Sequence, residues 1–141
     1  MAAFTKFNTF VEALAEKAHN LGADTLRIAL SNTSPTAATD TGFLPGSLHP
    51  APAAANGYSA TQATISSSAQ TTGTYKLVLA DVVFTATAGG IGPFRYAILY
   101  NDTATSKELI GFYDYGSSIT LASGETFTVD FDPTNGVLTI A

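Results

Sequence analysis

The spacing of apolar residues changes at Gly22, and this change limits the folds that the chain can adopt. Before Gly22, large apolar side chains recur at steps of three and four residues, which predicts an amphipathic helix over 5–21. Gly22 itself can take the left-handed conformation that ends a helix. After Gly22, apolar and polar residues alternate, which predicts a first strand over 25–31 with one buried face. The chain therefore combines one helix with β structure.

The rest of the chain divides into a proline-rich segment and a series of short alternating segments. Four of the six prolines lie within 32–57, and proline removes backbone donors, so this stretch is predicted to be a long surface loop. Over 58–141, alternating segments separated by turn residues predict seven or eight antiparallel strands, as in a β-sandwich or barrel. Within this series, 80–81 is interpreted as a bulge, and 133–136 as the turn of a final hairpin.

Composition excludes several classes of function. Charged residues make up 12% of the chain, against about 25% in an average soluble domain. A net charge of −5 with six scattered cations argues against a nucleic-acid partner. No apolar stretch approaches the roughly 20 residues that span a bilayer, and the first residues lack the apolar core of a signal peptide. The prediction is a protein with neither nucleic acid nor membrane as partner, and the absence of cysteine fits cytosolic synthesis.

No residue pattern predicts catalysis. His19 and His49 are the available bases, and neither lies in a context that supplies a nucleophile and an orienting group. His19 is placed near the end of the predicted helix, where the helix dipole accounts for it, and His49 lies between prolines. Carboxylates on alternating strands could serve a glycosidase, but acids on a strand face are typical of its solvated side. These candidates are Asp114, Glu125, Asp130 and Asp132.

Binding motifs for metals and cofactors are also incomplete. The run 130–136 departs from the order of an EF-hand calcium loop and lacks a closing glutamate, so a turn explains it. The glycine-rich run 89–92 precedes a strand and lacks the ending of a P-loop. Neither a metal nor a cofactor is therefore predicted. Aromatic residues on alternating strands could form a stacking platform for sugars, but they are more often core or interface residues. They are Phe94, Tyr96, Tyr100, Phe112, Tyr113 and Tyr115.

Several runs of the sequence carry a resemblance to a known group of proteins. They are 81–87 (DVVFTAT), 91–102 (IGPFRYAILYND) and 109–116 (LIGFYDYG), and the C-terminal runs 124–132 (GETFTVDFD) and 136–140 (GVLTI) fit the same pattern. In these runs the chain resembles small virion structural proteins of tailed bacteriophages. Together with the predicted helix and first strand, the resemblance covers nearly the whole chain.

The resemblance implies a single β-sandwich or jelly-roll-like domain over 1–141, preceded by the short N-terminal amphipathic α-helix. It implies a structural part of the particle, and the absence of catalytic motifs indicates a non-enzymatic one. A capsid decoration or cement subunit is favoured, because the chain is one compact domain without the coiled coil or repetitive shaft of a fibre. Its expected place is the virion, in the capsid rather than the tail, after synthesis in the host cytoplasm. The expected partners are the major capsid protein or other virion proteins and further copies of itself, as a homo-oligomer. The stretch 42–55 does not match the group.

Two alternatives to the decoration subunit stay open. A tail, neck or fibre-associated protein is the alternative within the same class. A carbohydrate-binding β-sandwich module, motivated by the tyrosines and the threonine-rich surface, is the alternative from another class.

Two segments are candidate contact surfaces for such an assembly. The apolar stripe of the predicted helix must be buried either on the chain's own sheet or on a neighbouring subunit. The loop over 32–57 has a length that is usually functional or ordered by a partner. The candidate interface residues are Phe7, Phe10, Leu14 and Leu21 in the helix and Leu44, Pro45, Leu48 and Pro50 in the loop.

Overall fold

A computed structural model describes residues 2–43, 49 and 51–141 of the chain. The described part is mainly β, as predicted, with one short helix. Its elements are β1 (Phe4–Lys6), α1 (Thr9–Ala15), β2 (Leu26–Ser31), β3 (Thr61–Gln62), β4 (Ile65–Thr71), β5 (Thr74–Leu79), β6 (Val82–Thr85), β7 (Ile91–Asn101), β8 (Leu109–Leu121), β9 (Thr126–Val129) and β10 (Leu138–Ile140).

The strands form three antiparallel sheets around one hydrophobic core. A five-stranded sheet has the order β1-β8-β7-β2-β3, a three-stranded sheet the order β10-β5-β4, and β6 pairs with β9. Buried apolar residues of all three sheets and of α1 belong to a single hydrophobic cluster. Because every sheet contributes apolar side chains to that cluster, the core holds the sheets together.

The predicted helix over 5–21 is wrong at both ends, because α1 covers only Thr9–Ala15. Residues 4–6 instead form β1, which pairs with β8 and places Lys6 opposite Gly111. The ring of Phe4 lies directly over Gly111, in the space that a side chain would fill. The edge of β8 therefore offers backbone partners that outweigh the helical spacing of a short segment. The helix ends at Ala15, and Lys17 then has a φ of 70°.

The apolar stripe of the helical segment covers the chain's own sheet, which was one of the two possibilities that the sequence left open. Phe7 and Phe10 are 0% and 1% exposed, and the ring of Phe7 lies 5.3 Å from that of Phe112. Leu21 is buried in the same cluster, and Leu14 is partly buried against it. In this conformation the faces of Phe7, Phe10 and Leu21 are not available to another subunit.

The predicted first strand is confirmed as β2, but it is buried more completely than predicted. Its neighbours are β7 along its whole length and the two-residue β3 on the other side. Beyond β3, the backbone N–H of Leu30 donates to the hydroxyl of Tyr58 at 3.0 Å. Tyr58 is itself buried, and that burial raises its pKa to about 12. Ala29 and Ser31 are therefore as buried as the leucines, because the following segment covers the strand.

The predicted bulge at 80–81 and the predicted final hairpin at 133–136 are both wrong. At 80–81 the chain leaves the β10-β5-β4 sheet and enters the β6-β9 pair. The segment 130–137 makes the reverse change, since β9 pairs with β6 whereas β10 pairs with β5. The two crossings are joined where the Phe131 N–H donates to Asp81 Oδ1 at 2.9 Å. Each interruption in the sequence therefore marks a change of sheet.

The predicted loop over 32–57 is anchored along its first part. The Phe43 N–H donates to the Lys107 carbonyl at 2.8 Å, and Gly42 forms a β-bridge with Glu108. The Asn8 N–H donates to Ala37 O at 2.9 Å, which ties the loop to the start of α1. The predicted interface residues of the loop lie outside the described residues; they are Leu44, Pro45, Leu48 and Pro50.

Among the described residues, no helix is long and apolar enough to cross a membrane.

Burial of the stripe predicts a large difference between neighbouring residues of α1. Phe10→Ala should lower the free energy of unfolding by about 3–5 kcal/mol, because it removes a fully buried ring and leaves a cavity. The matched control is Val11→Ala, whose side chain is 54% exposed and whose loss should cost at most about 0.5 kcal/mol. Urea denaturation of both variants measures the difference. Equal costs would contradict the burial of the stripe on the chain's own core.

Contact between β1 and β8 predicts that Gly111 tolerates no side chain. A Cβ there would overlap the Phe4 ring and lie 2.7 Å from the Thr5 carbonyl oxygen, so Gly111→Ala should cost about 1–3 kcal/mol. In a Phe4→Ala background the cost should fall without vanishing, because the backbone clash remains. A double-mutant cycle by urea denaturation tests this, and strictly additive effects would contradict the proposed contact.

Candidate functional site

A groove of about 460 Å³ opens between the segment after α1 and the β10-β5-β4 sheet. Its lining is mostly apolar, with hydroxyl, amide and ammonium groups at the edges. Leu14 and Leu21, two of the predicted interface residues, both contribute to it. The lining residues are Leu14, Lys17, His19, Asn20, Leu21, Gly22, Ser68, Tyr75 and Ile140.

One wall of the groove is a tight turn after the helix. The carbonyl of Asn20 accepts hydrogen bonds from the N–H groups of Ala23 and Asp24, at 3.0 and 2.9 Å. In return the Asn20 N–H donates to Asp24 Oδ2 at 2.7 Å. A Cβ on Gly22 would lie 3.3 Å from Ser68 Oγ, so glycine allows this turn to approach the sheet closely.

The opposite wall comes from the three-stranded sheet. The hydroxyls of Ser68 on β4 and Tyr75 on β5 are hydrogen-bonded at 2.8 Å. Ile140 on β10 remains 37% exposed, which is unusual among the large apolar residues of the described chain. The hydroxyl groups of this wall are therefore occupied by each other, and its apolar part faces solvent.

A buried polar network lies behind the groove and is centred on Asn101. The Asn101 Oδ1 accepts the backbone N–H groups of Thr103 and Ala104, at 3.0 and 3.2 Å. Its Nδ2 therefore faces the other way, toward His19 Nδ1 at 3.1 Å and Asp24 Oδ2 at 2.6 Å. Asn101 thus connects the β7–β8 turn to the segment after α1. No sequence pattern indicates this role of Asn101, because an asparagine before aspartate is typical of a turn.

This network determines the protonation of His19. Since Asn101 Nδ2 donates to Nδ1, the ring proton of neutral His19 resides on Nε2. Burial lowers the pKa of His19, and the nearby charges of Glu108 and Asp24 only partly oppose this effect. A neutral ring with its proton on Nε2 and its Nδ1 occupied is not arranged as a general base. Ser68 lines the same groove, but its hydroxyl is paired with Tyr75.

Glu108 lies on the far side of the same network. It lines two smaller depressions of about 330 and 210 Å³ that adjoin Ala18. Glu108 Oε2 and His19 Nε2 are both buried, and neither has a hydrogen-bond partner among the described residues.

His49 has a packing role rather than a place in a cleft. Its ring stacks on Phe43 with centroids 5.7 Å apart, and Phe43 in turn stacks on Tyr100 at 4.4 Å. His49 Nε2 lies 3.1 Å from Asp40 Oδ2, and the same carboxylate oxygen accepts the Thr36 N–H at 2.7 Å. The three stacked rings fix the start of the proline-rich segment to β7.

The four candidate carboxylates do not converge on a site. Asp114 forms a two-bond ion pair with Arg95, which lowers the pKa of the Asp114 carboxyl. Asp132 accepts hydrogen bonds from Asn135 and Thr134 in its own turn, which lowers the pKa of Asp132. Glu125 Oε2 accepts the N–H of Ala122. Asp130 lies on the exposed face after β9, as predicted.

The aromatic residues that suggested a stacking platform are core residues. Five of the six are at most 8% exposed; they are Phe94, Tyr96, Tyr100, Phe112 and Tyr113. Tyr115 is half-buried, with its ring 4.9 Å from that of Phe127, and its burial raises its pKa to about 12. Within the described ranges, no group of three histidine, cysteine, aspartate or glutamate residues could hold a metal ion.

Comparison of the chain with models of known protein families, with curated protein sequences and with solved structures gives no match. The groove and the Asn101 network are therefore interpreted from their own chemistry. That chemistry consists of an apolar recess bordered by the paired hydroxyls of Ser68 and Tyr75 and by the polar groups of Lys17 and Asn20.

The buried, neutral His19 predicts a pH dependence of stability. Because its pKa is lower in the folded state, the unfolded chain binds the extra proton below about pH 6.5, and stability falls as the pH decreases. The difference in unfolding free energy between pH 7.5 and pH 5.5 should shrink by about 1 kcal/mol in His19→Gln. Urea denaturation of both proteins at both pH values measures this, and an unchanged difference would exclude His19 as its source.

Proposed function

We propose that this chain is a structural protein of a tailed-bacteriophage particle, and specifically a capsid decoration subunit without enzymatic activity. The observation that carries the proposal is the resemblance of its sequence to small virion proteins over the five runs described above. Those runs coincide with β6 to β10, which include the longest strand pair of the fold. The resemblance thus concerns residues that form the framework of the molecule.

The proposal includes the arrangement of the sheets. The five-stranded sheet would form one layer of a β-sandwich or jelly-roll-like domain, and the β10-β5-β4 and β6-β9 sheets the other. Support comes from the single hydrophobic cluster that joins residues of all three sheets. The change of sheet at 80–81 and at 130–137 resembles the corners by which strands of a sandwich pass between sheets.

A decoration subunit works by binding energy alone. It binds the assembled lattice of the major capsid protein and not the free subunits, so each bound copy stabilises the shell by mass action. The low proportion of charged residues suits such a role, because a surface with few charges loses little solvation when it is covered. The chain would be made in the host cytoplasm and join the virion as one of several copies.

Fewer residues of the helical segment are candidates for contact with the capsid than the sequence predicted. Phe7, Phe10 and Leu21 are occupied by the core, so among the helical candidates only Leu14 retains exposed surface. The carbohydrate-binding alternative was motivated by the tyrosines and the threonine-rich surface. Four of the six tyrosines are buried, which leaves that alternative with less support. The other alternative, a tail, neck or fibre-associated protein, is distinguished from a shell protein by the number of copies in each particle.

Copy number in purified particles tests the proposal. Quantitative mass spectrometry of virions from the phage that carries this gene should find hundreds of copies for each particle, as expected for a shell protein. A dozen copies or fewer would place the chain in the tail or neck, and its absence from particles would overturn the proposal.

A second measurement addresses the stabilising role. Heads assembled without the chain should release their DNA at a lower temperature than heads to which the purified chain has been added back. Addition of Phe10→Ala at a temperature where that variant is unfolded serves as the matched control. Equal release temperatures in all three samples would exclude a cementing role.

A further inference from the structure

β4 is the longest of the outermost strands in the described part of the chain. β4 spans seven residues, Ile65–Thr71, and pairs only with β5. The other outer strands are shorter: β1 and β10 have three residues, β3 two, and β6 and β9 four each. A strand edge carries a row of free N–H and C=O groups, which is a template for another strand.

This edge also lacks the charged residues that usually protect such strands. Proteins block exposed edges with lysine or other charges, with proline or by keeping them short. β4 has none of these, and the whole run 41–75 contains no aspartate, glutamate, lysine or arginine. By contrast, β1 is short and includes Lys6, and β9 lies between Glu125 and Asp130.

The regular part of β4 is complementary to itself. A register shift lies between Ile65 and Ser67, and beyond it Ser67–Thr71 pairs with β5 without interruption. Ala69 is the middle residue of this five-residue run. If a second copy pairs antiparallel around a two-fold axis at Ala69, small or neutral residues meet at every position. The pairs are then Ala69 with Ala69, Ser68 with Gln70, and Ser67 with Thr71.

The nearest charge does not oppose this pairing. Lys76 is the neighbour of Ala69 on β5, and its Nζ donates to the Thr134 carbonyl at 2.7 Å. Across the two-fold axis, Lys76 and its copy would be separated by three strand spacings, or about 14 Å. This distance exceeds the Debye length of about 8 Å at physiological salt. Ser67, Ala69 and Thr71 are all exposed, so the edge is open to a partner.

We propose that two copies of this chain associate through β4, antiparallel around a two-fold axis at Ala69. The association joins two three-stranded sheets into one continuous sheet of six strands. The inference rests on the proposed function in that both require several copies of the chain to assemble. It adds the surface through which two copies meet, the edge of β4. Its test is made in solution, so it can fail while the chain is still found in particles.

Charges placed on the axis test the pairing. Ala69→Lys and Ala69→Glu each put like charges directly opposite each other, and each should raise the dissociation constant about fivefold or more. Sedimentation equilibrium at chain concentrations from about 1 µM to about 1 mM covers the range of moderate to weak self-association. A wild-type chain that remains monomeric throughout would overturn the proposal.

The matched control is Thr139→Lys on β10. Thr139 is the other cross-strand neighbour of Lys76, so this variant puts the same charge beside the same residue, but at the opposite edge of the sheet. It should dimerise like the wild type. Equal weakening by Thr139→Lys and Ala69→Lys would overturn the proposal, because the effect would then come from net charge.

A mixing experiment tests the register and separates it from misfolding. Equimolar Ala69→Lys and Ala69→Glu chains should form a mixed dimer at least as tight as the wild-type dimer, because opposite charges then face each other across the axis. Restored association also shows that both variants are folded. If the mixture stays as weakly associated as either variant alone, the two-fold axis is not at Ala69 and the proposal fails.

Discussion

The antiparallel pairing of β7 with β8 is the interaction on which the rest of the structure depends. These are the longest strands, and their outer edges receive β2 and β1, so the five-stranded sheet grows outward from one pair. The turn that joins them is closed by the Asn101 N–H, which donates to Glu108 O at 2.9 Å. In this turn, the Asn101 side chain hydrogen-bonds to the His19 ring, and the Lys107 carbonyl accepts the Phe43 N–H. The segment after the helix and the start of the proline-rich loop thus share one anchor.

The periodicity of apolar residues correctly predicted elements that local spacing determines. It failed for segments whose structure is determined by pairing with a strand far away in the sequence. The alternation around Leu26 correctly predicted β2 and the burial of its apolar face. The start of the helix was wrong because the edge of β8, more than 100 residues away, pairs with residues 4–6. The final hairpin was wrong because β10 finds its partner in β5. Neither partner leaves a trace in the local spacing of apolar residues.

The candidate site shows the same limit at the level of single residues. An amphipathic stripe requires that Phe7 and Phe10 be buried, but the sequence does not say against what, and here the chain's own sheet covers them. His19 was recognisable only as an isolated histidine. Its environment is set by Asn101, which lies 82 positions further along the chain and reads locally as a turn residue. Only the pairing of β2 with β7 brings the two together.

Three of the six lysine and arginine residues form ion pairs that orient strands and a turn of the five-stranded sheet. Arg27 and Lys107 both bind Asp102, whose pKa they lower, and Arg95 binds Asp114. These pairs join β2 to the β7–β8 turn and β7 to β8, where loops and strands need orientation. The regular part of β4, Ser67–Thr71, carries only hydroxyl, amide and methyl side chains. Neutral polar groups hydrogen-bond to water or to a strand with similar free energy, so the edge of β4 can exchange solvent for another chain at low cost.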